Sequence, residues 1–153
     1  MSYGGSMPSD AERAWEALLR THARLVPIFD REVQRGTGLP LTWYDVLLEL
    51  NSAGGRMTMG QLAERVVLSR TRVSRLVDEL ARAGLVAREA NPDDGRSAFA
   101  VITDDGRRRF REAAPIYLDA IDRELGGPLS RDELRALTEM LEKLAGARAA
   151  HRD

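Results

Sequence analysis

The sequence predicts a mainly α-helical chain with one small β-ribbon past its midpoint. Three observations predict it. Hydroxyl residues followed three positions later by an acid or amide mark successive helix starts. Behind each start, apolar residues recur at three-to-four spacing. Between residues 85 and 102 that spacing gives way to two short strand-like runs around a strong turn signal. A length of 153 residues suits one domain.

Ser9 with Glu12 opens a helix over 10–34, carrying Trp15, Leu18, Leu19, His22, Leu25, Val26 and Phe29 and closing near Gly36 and Gly38. Thr42 with Asp45 opens a second over 43–51, with Trp43, Val46, Leu47 and Leu50. Thr58 with Gln61 opens a short third over 59–67, with Leu62, Val66 and Val67. Ser69 is the N-cap expected for a fourth helix over 70–83, whose stripe is Val73, Leu76, Val77 and Leu80 and whose stop is Gly84. Leu85–Ala90 and Ala98–Ile102 read as strands joined by Asn91-Pro92-Asp93-Asp94-Gly95. Thr103 caps a long helix reaching Leu125, with Asp104 and Asp105 at the positive end of its dipole. Ser130 with Glu133 opens the last helix over 131–147, closing near Gly146.

Helix, helix, short helix, helix, ribbon and helix in that order describe a winged helix-turn-helix over about 42–103. Long helices over about 9–36 and 104–148 flank it, and residues 1–8 are expected to be disordered. A 25-residue helix is about 37 Å long, and nothing else in the chain covers the apolar stripes of the outer helices. A second subunit is the simplest cover, since two-fold dimers are the commonest oligomers.

Composition removes whole classes of function. There is no cysteine, so thiol chemistry, disulfides and cysteine-ligated metals are excluded, and His22 and His151 are the only histidines. No apolar run approaches the roughly 18 residues of a membrane span, and no secretory leader opens the chain, so the expected compartment is the cytoplasm. No phosphate loop, nucleophile elbow or cofactor motif is present. Asp93 and Asp94 are adjacent carboxylates, but a mobile turn is a poor place for acid–base work. An enzyme is not expected.

The net charge of −1 is an average over two unlike parts. Residues 56–111 hold 12 basic and 8 acidic side chains, and the remainder holds 11 and 16. Within the basic part, the helix after Ser69 breaks the electrostatic rule that the other starts obey. Arg70, Arg72 and Arg75 crowd its positive end, costing roughly 0.3–1 kcal/mol each where the dipole acts. An anionic partner such as a DNA phosphate reverses that penalty. With the apolar stripe inward, Arg70, Thr71, Ser74 and Arg75 lie outward, and arginine can grip guanine O6 and N7 with two hydrogen bonds. Arg96 at the ribbon tip suits a minor groove, with Asp94 expected to hold it by an ion pair. Arg88 at the end of the first ribbon strand is a candidate phosphate contact. The run Arg107, Arg108, Arg109 and Arg111 reads as a solvated face. The expected DNA-binding set is therefore Ser69, Arg70, Thr71, Arg72, Ser74, Arg75, Arg88, Asp94 and Arg96.

These segments form a familiar ordered set. It runs from Met59-Gly60-Gln61-Leu62-Ala63-Glu64-Arg65, through Leu68-Ser69-Arg70-Thr71-Arg72-Val73-Ser74-Arg75-Leu76-Val77-Asp78, Gly84-Leu85-Val86-Ala87-Arg88 and Asp93-Asp94-Gly95-Arg96, to Ile102-Thr103-Asp104-Asp105-Gly106-Arg107. The set resembles the MarR family of bacterial transcription regulators, over nearly the whole chain. The resemblance implies a homodimer joined through its first and last helices, a pseudo-palindromic double-stranded DNA operator, and repression relieved by a small phenolic or anionic ligand. Trp15, Asp45, Arg75 and Arg88 fall where a urate-responsive branch of the family binds its ligand, so the resemblance also implies urate or an aromatic acid as effector. Plainer roles stand beside that one: Trp15 as core, Asp45 as a cap, and the two arginines as DNA contacts alone. A winged-helix module that binds a protein partner instead of an operator is the rival reading.

Overall fold

The computed structural model describes residues 7–149 apart from Val67 and Ser69. The cap expected at Ser69, and all but the last two residues of the expected disordered start, lie outside that range. Helices α1 (Asp10–Thr37), α2 (Leu41–Ser52), α3 (Met59–Arg65), α4 (Arg70–Arg82), α5 (Asp104–Ile121) and α6 (Arg131–Ala149) are interleaved with strands β1 (Arg56–Thr58), β2 (Val86–Ala90) and β3 (Ala98–Ile102).

Three of the four expected capping boxes form. Ser9 with Glu12, Thr58 with Gln61, and Ser130 with Glu133 exchange reciprocal side-chain to backbone hydrogen bonds. Thr103 accepts from the Gly106 N–H at 3.0 Å, as a single cap. The fourth box does not form. Helix α2 starts earlier, at Leu41, with Pro40 at its N-cap and no capping side chain of its own. Asp30 of α1 takes the role Thr42 was expected to fill, accepting the Leu41 N–H at 2.9 Å. Helix α6 also runs through Gly146, which therefore is not a stop. Helix α5 continues past Ile121 as a π-helical turn, Asp122–Gly126.

The ribbon has a third strand that the sequence reading lacks. The sheet order is β1-β3-β2, antiparallel throughout, with Met57 opposite Ala100 and Arg88 opposite Ala100 on the other side. Three residues are too short to show an alternation. Gly54 and Gly55, both at positive φ, turn the chain into β1, and the Ile102 N–H reaches the Gly55 carbonyl at 2.8 Å.

One core joins the helix-turn-helix to the sheet. Val46, Leu47 and Leu50 of α2, Leu62 of α3, Val73, Val77 and Leu80 of α4, and Val86, Ala100 and Ile102 of the sheet are buried. Each large aliphatic side chain there stabilises the fold by roughly 1.5–3 kcal/mol relative to exposure. A second layer of aromatic contacts ties this unit to α1 and α5. Tyr44 meets Phe110 and Tyr117 at 5.3 and 5.0 Å between ring centres, and Phe29 meets Tyr117 at 5.5 Å. The outer ends of the long helices have no such cover among the described residues. Trp15, expected as core on the plainer reading, is 60% exposed, and Leu18, Leu19 and Val26 follow it along α1. Met140 and Leu144 of α6 are 59% and 65% exposed.

Candidate nucleic-acid interface

Helix α4 buries Val73, Val77 and Leu80 completely, at the spacing of one helical face. That fixes what the opposite face offers. Thr71, Arg72 and Arg75 are exposed and Ser74 is half-buried beside them. Among the described residues, Arg75 makes no hydrogen bond or ion pair, so its guanidinium is available to a partner. Short α3 and α4 pack against α2 through the same core.

The wing stands beside α4. Its tip is built by side chains that replace backbone partners. Asn91 Oδ1 accepts the Asp93 N–H at 3.0 Å, and Asn91 Nδ2 donates to Ser97 Oγ at 2.9 Å. Asp94 does not form the expected ion pair with Arg96. Its carboxylate accepts the Arg96 backbone N–H at 3.0 Å instead. Two residues apart in a tight turn, the carboxylate reaches the main chain more easily than the end of a long side chain. The Arg96 guanidinium is left without a partner among the described residues. At the base of the wing, Arg56 lies over the Phe99 ring at 4.1 Å and 3.7 Å from Glu89.

Arg88 is placed differently. On β2 it turns toward α4, 2.9 Å from Asp78 and within hydrogen-bond distance of Ser74. The run on α5 is also not the solvated face expected. Arg107 donates to Asn51 at 3.2 Å, and Arg109 donates to the Thr37 carbonyl at the end of α1 at 2.8 Å. Arg108, which pairs with Asp105 and Glu112 along its own helix, and Arg111 are exposed, so for these two members of the run a solvated face is right. Arg109 carries a buried Nε with no partner among the described residues, so it is a strut between α5 and α1 rather than a DNA contact.

The four residues of the expected ligand set are not gathered in one place. Asp45 lines an open cavity of about 480 Å³ between α1 and α2, with Asp30, Gln34, Leu41 and Thr42. Trp15, Arg75 and Arg88 do not line it. Trp15 lies eleven residues before Val26 at the cavity's edge, about 16 Å along the helix. Burial, and secondly the Glu49 charge, push the Asp45 carboxyl up to about 6. The sequence reading missed Asp30, which closes this cavity and starts α2. No local pattern announces a cap donated from eleven residues away.

A family model described as MarR family matches residues 37–97, from the end of α1 to the wing tip. The HTH-type transcriptional regulator YkoM of Bacillus subtilis (strain 168) is 35% identical over 105 residues, which is 69% of this chain and 67% of that protein. The chain belongs to the MarR family. Two MarR-family structures from Streptomyces coelicolor share its fold. AbsC superposes with a TM-score of 0.85 at 28% identity, covering 96% of this chain and all of that one. Sco3205, solved in complex with DNA, superposes at 0.84 and 29% identity, covering 92% and 93%. As a MarR-family winged-helix protein, the chain is a DNA-binding transcriptional regulator and not an enzyme. Among the described residues, no helix is long and apolar enough to cross a membrane.

Proposed function

We propose that the protein is a homodimeric repressor of a pseudo-palindromic operator, released by a small ligand. One observation carries the reading. The exposed face of α4 presents Thr71 and Arg75 while its opposite face is sealed in the core, and Arg96 is unpaired among the described residues at the tip of the adjoining wing. Helix α4 is then the recognition helix, with Ser69, Arg70, Thr71, Arg72, Ser74 and Arg75 along its start, and the wing held in shape by Asp94 carries Arg96 toward the minor groove. The uncovered ends of α1 and α6 supply the subunit contact, which sets the two recognition helices about 34–36 Å apart. On this reading residues 9–36 and 104–148 join the dimer and 42–103 meet DNA.

The cavity beside Asp45 is the place for an effector. An aromatic acid such as urate meets Asp30 and Asp45 there and no basic side chain of the same subunit. That ligand class therefore requires the second subunit to complete the site. Mobility shifts at fixed salt, using DNA upstream of the protein's own gene, test the proposal. Arg75→Ala is expected to weaken binding and relax sequence preference, at a cost of about 1–3 kcal/mol. Arg96→Ala should weaken all duplexes alike, and the effector should release the wild-type complex. Wild-type binding by both variants overturns the placement of the surface. No shift at all favours a protein-interaction module.

A further inference from the structure

We infer that Arg88 is a positioning residue for DNA reading: it holds and polarises the Ser74 hydroxyl so that it favours donating toward the bases, and does not itself contact phosphate. The inference rests on the operator reading above. Arg88 Nη2 donates to Ser74 Oγ at 3.0 Å and to the Ser74 carbonyl at 3.2 Å, while Asp78 Oδ1 lies 2.9 Å from the same nitrogen.

A guanidinium donates and never accepts, so the Ser74 oxygen meets it with a lone pair. A hydroxyl has one hydrogen and two lone pairs; Arg88 takes one lone pair, and the hydrogen and the second lone pair remain for a partner. The wing side of Ser74 is thus filled by Arg88, so what its hydroxyl offers a partner lies away from the wing, on the exposed face shared with Thr71 and Arg75. Asp78 offsets the Arg88 charge at close range. The pair as a whole adds little net attraction for phosphate, although each partner is partly exposed.

A serine without this clamp can donate or accept, and so tolerates any base edge. A serine whose oxygen accepts from a guanidinium is a stronger donor and a weaker acceptor, and so favours acceptor edges: guanine O6 and N7, adenine N7 or thymine O4. It disfavours the cytosine N4 amino group. Arg88 therefore acts on specificity through Ser74.

The test compares the full-length wild type with Ser74→Ala, Ser74→Thr and the charge-neutral double variant Arg88→Met/Asp78→Asn. Two quantities are read: base preference, by selection from randomised duplexes, and the slope of affinity against salt. Ser74→Ala and the double variant should flatten preference at the same position of each half-site, by about five- to tenfold. Ser74→Thr should keep the preference, and the double variant should keep the wild-type salt slope. A slope reduced by about 0.9 per lost phosphate contact, with preference intact, would show Arg88 on phosphate and overturn the inference. Unchanged preference in Ser74→Ala overturns it as well. If the double variant does not fold, the single Arg88→Gln is read in its place: preference should flatten at the Ser74 position, and preference kept there overturns the inference. A wild type that binds every duplex alike overturns the operator reading, and this inference falls with it.

Discussion

Replacing Asp45 by asparagine isolates the cost of half-burying one carboxylate. Asp45 has no hydrogen-bond partner among the described residues. Its carboxyl is raised from 3.8 to about 6, first by burial and then by the Glu49 charge. The native state therefore holds this proton more tightly than the unfolded chain does. Below about pH 4 both states are protonated and the residue costs nothing. As pH rises from 4 to 6 the unfolded chain ionises first and stability falls, and above 6 the full penalty is in place. Two pH units correspond to about 3 kcal/mol. Solvent at the open side of the cavity screens part of that, leaving about 1–2 kcal/mol. The Asp45→Asn variant keeps the shape without the charge. At pH 8 it should raise the melting temperature by about 3–6 °C in a chain of this length, and at pH 4 it should change little. Calorimetry at both values, at one protein concentration because the proposed dimerisation would couple to stability, gives the answer. An equal effect at the two pH values would refute the burial argument. A loss of stability at pH 8 would show that the carboxylate has a partner in the native protein.

Two further substitutions test how the wing is fixed to the long helices. Gly106 lies in the first turn of α5, where a Cβ would collide with the Leu85 carbonyl oxygen and stand 2.9 Å from Ile102 Cγ1. Gly106→Ala must push α5 off the start of β2, at about 1–3 kcal/mol, and a melting temperature within about 1 °C of wild type would show that the contact yields freely. Thr103 accepts from the Gly106 N–H and donates to the Gly84 carbonyl at 2.7 Å. Thr103→Val keeps the shape and removes both bonds, so urea unfolding should show a loss of about 2 kcal/mol. A loss below about 0.5 kcal/mol would mean that water replaces both partners.

Features set by neighbours in sequence were legible before the structure. The boxes at Ser9, Thr58 and Ser130 need only three residues and formed as read. The apolar stripe of α4 and the turn at Asn91 are equally local. Features set by distant neighbours were not legible. Thr42 has a capping side chain at the right spacing, yet α2 begins at Leu41 because Asp30, brought alongside by the turn at Gly38, supplies the acceptor. Strand β1 exists because β3 is there to pair with it. Gly146 lies in open space, where a glycine costs a helix about 1 kcal/mol without ending it.

The site shows the same division in its arginines. Sequence places 12 of them between residues 56 and 111 and gives each the same charge. The fold gives them different work. Arg56, Arg65, Arg88, Arg107, Arg108 and Arg109 are all engaged by groups of the chain itself. An arginine already paired with a nearby carboxylate has less to gain from a phosphate, because binding DNA must either break the pair or bring the acid along. The electrostatic pull on an operator is therefore smaller than the arginine count suggests, and it falls more heavily on those left unpaired. Among the described residues Arg75 on α4 and Arg96 at the wing tip are two such groups, and on the proposed reading they stand on the two elements that a winged helix sends into the grooves. On that reading the acids that neutralise the net charge are partly the means by which specific arginines are selected for DNA.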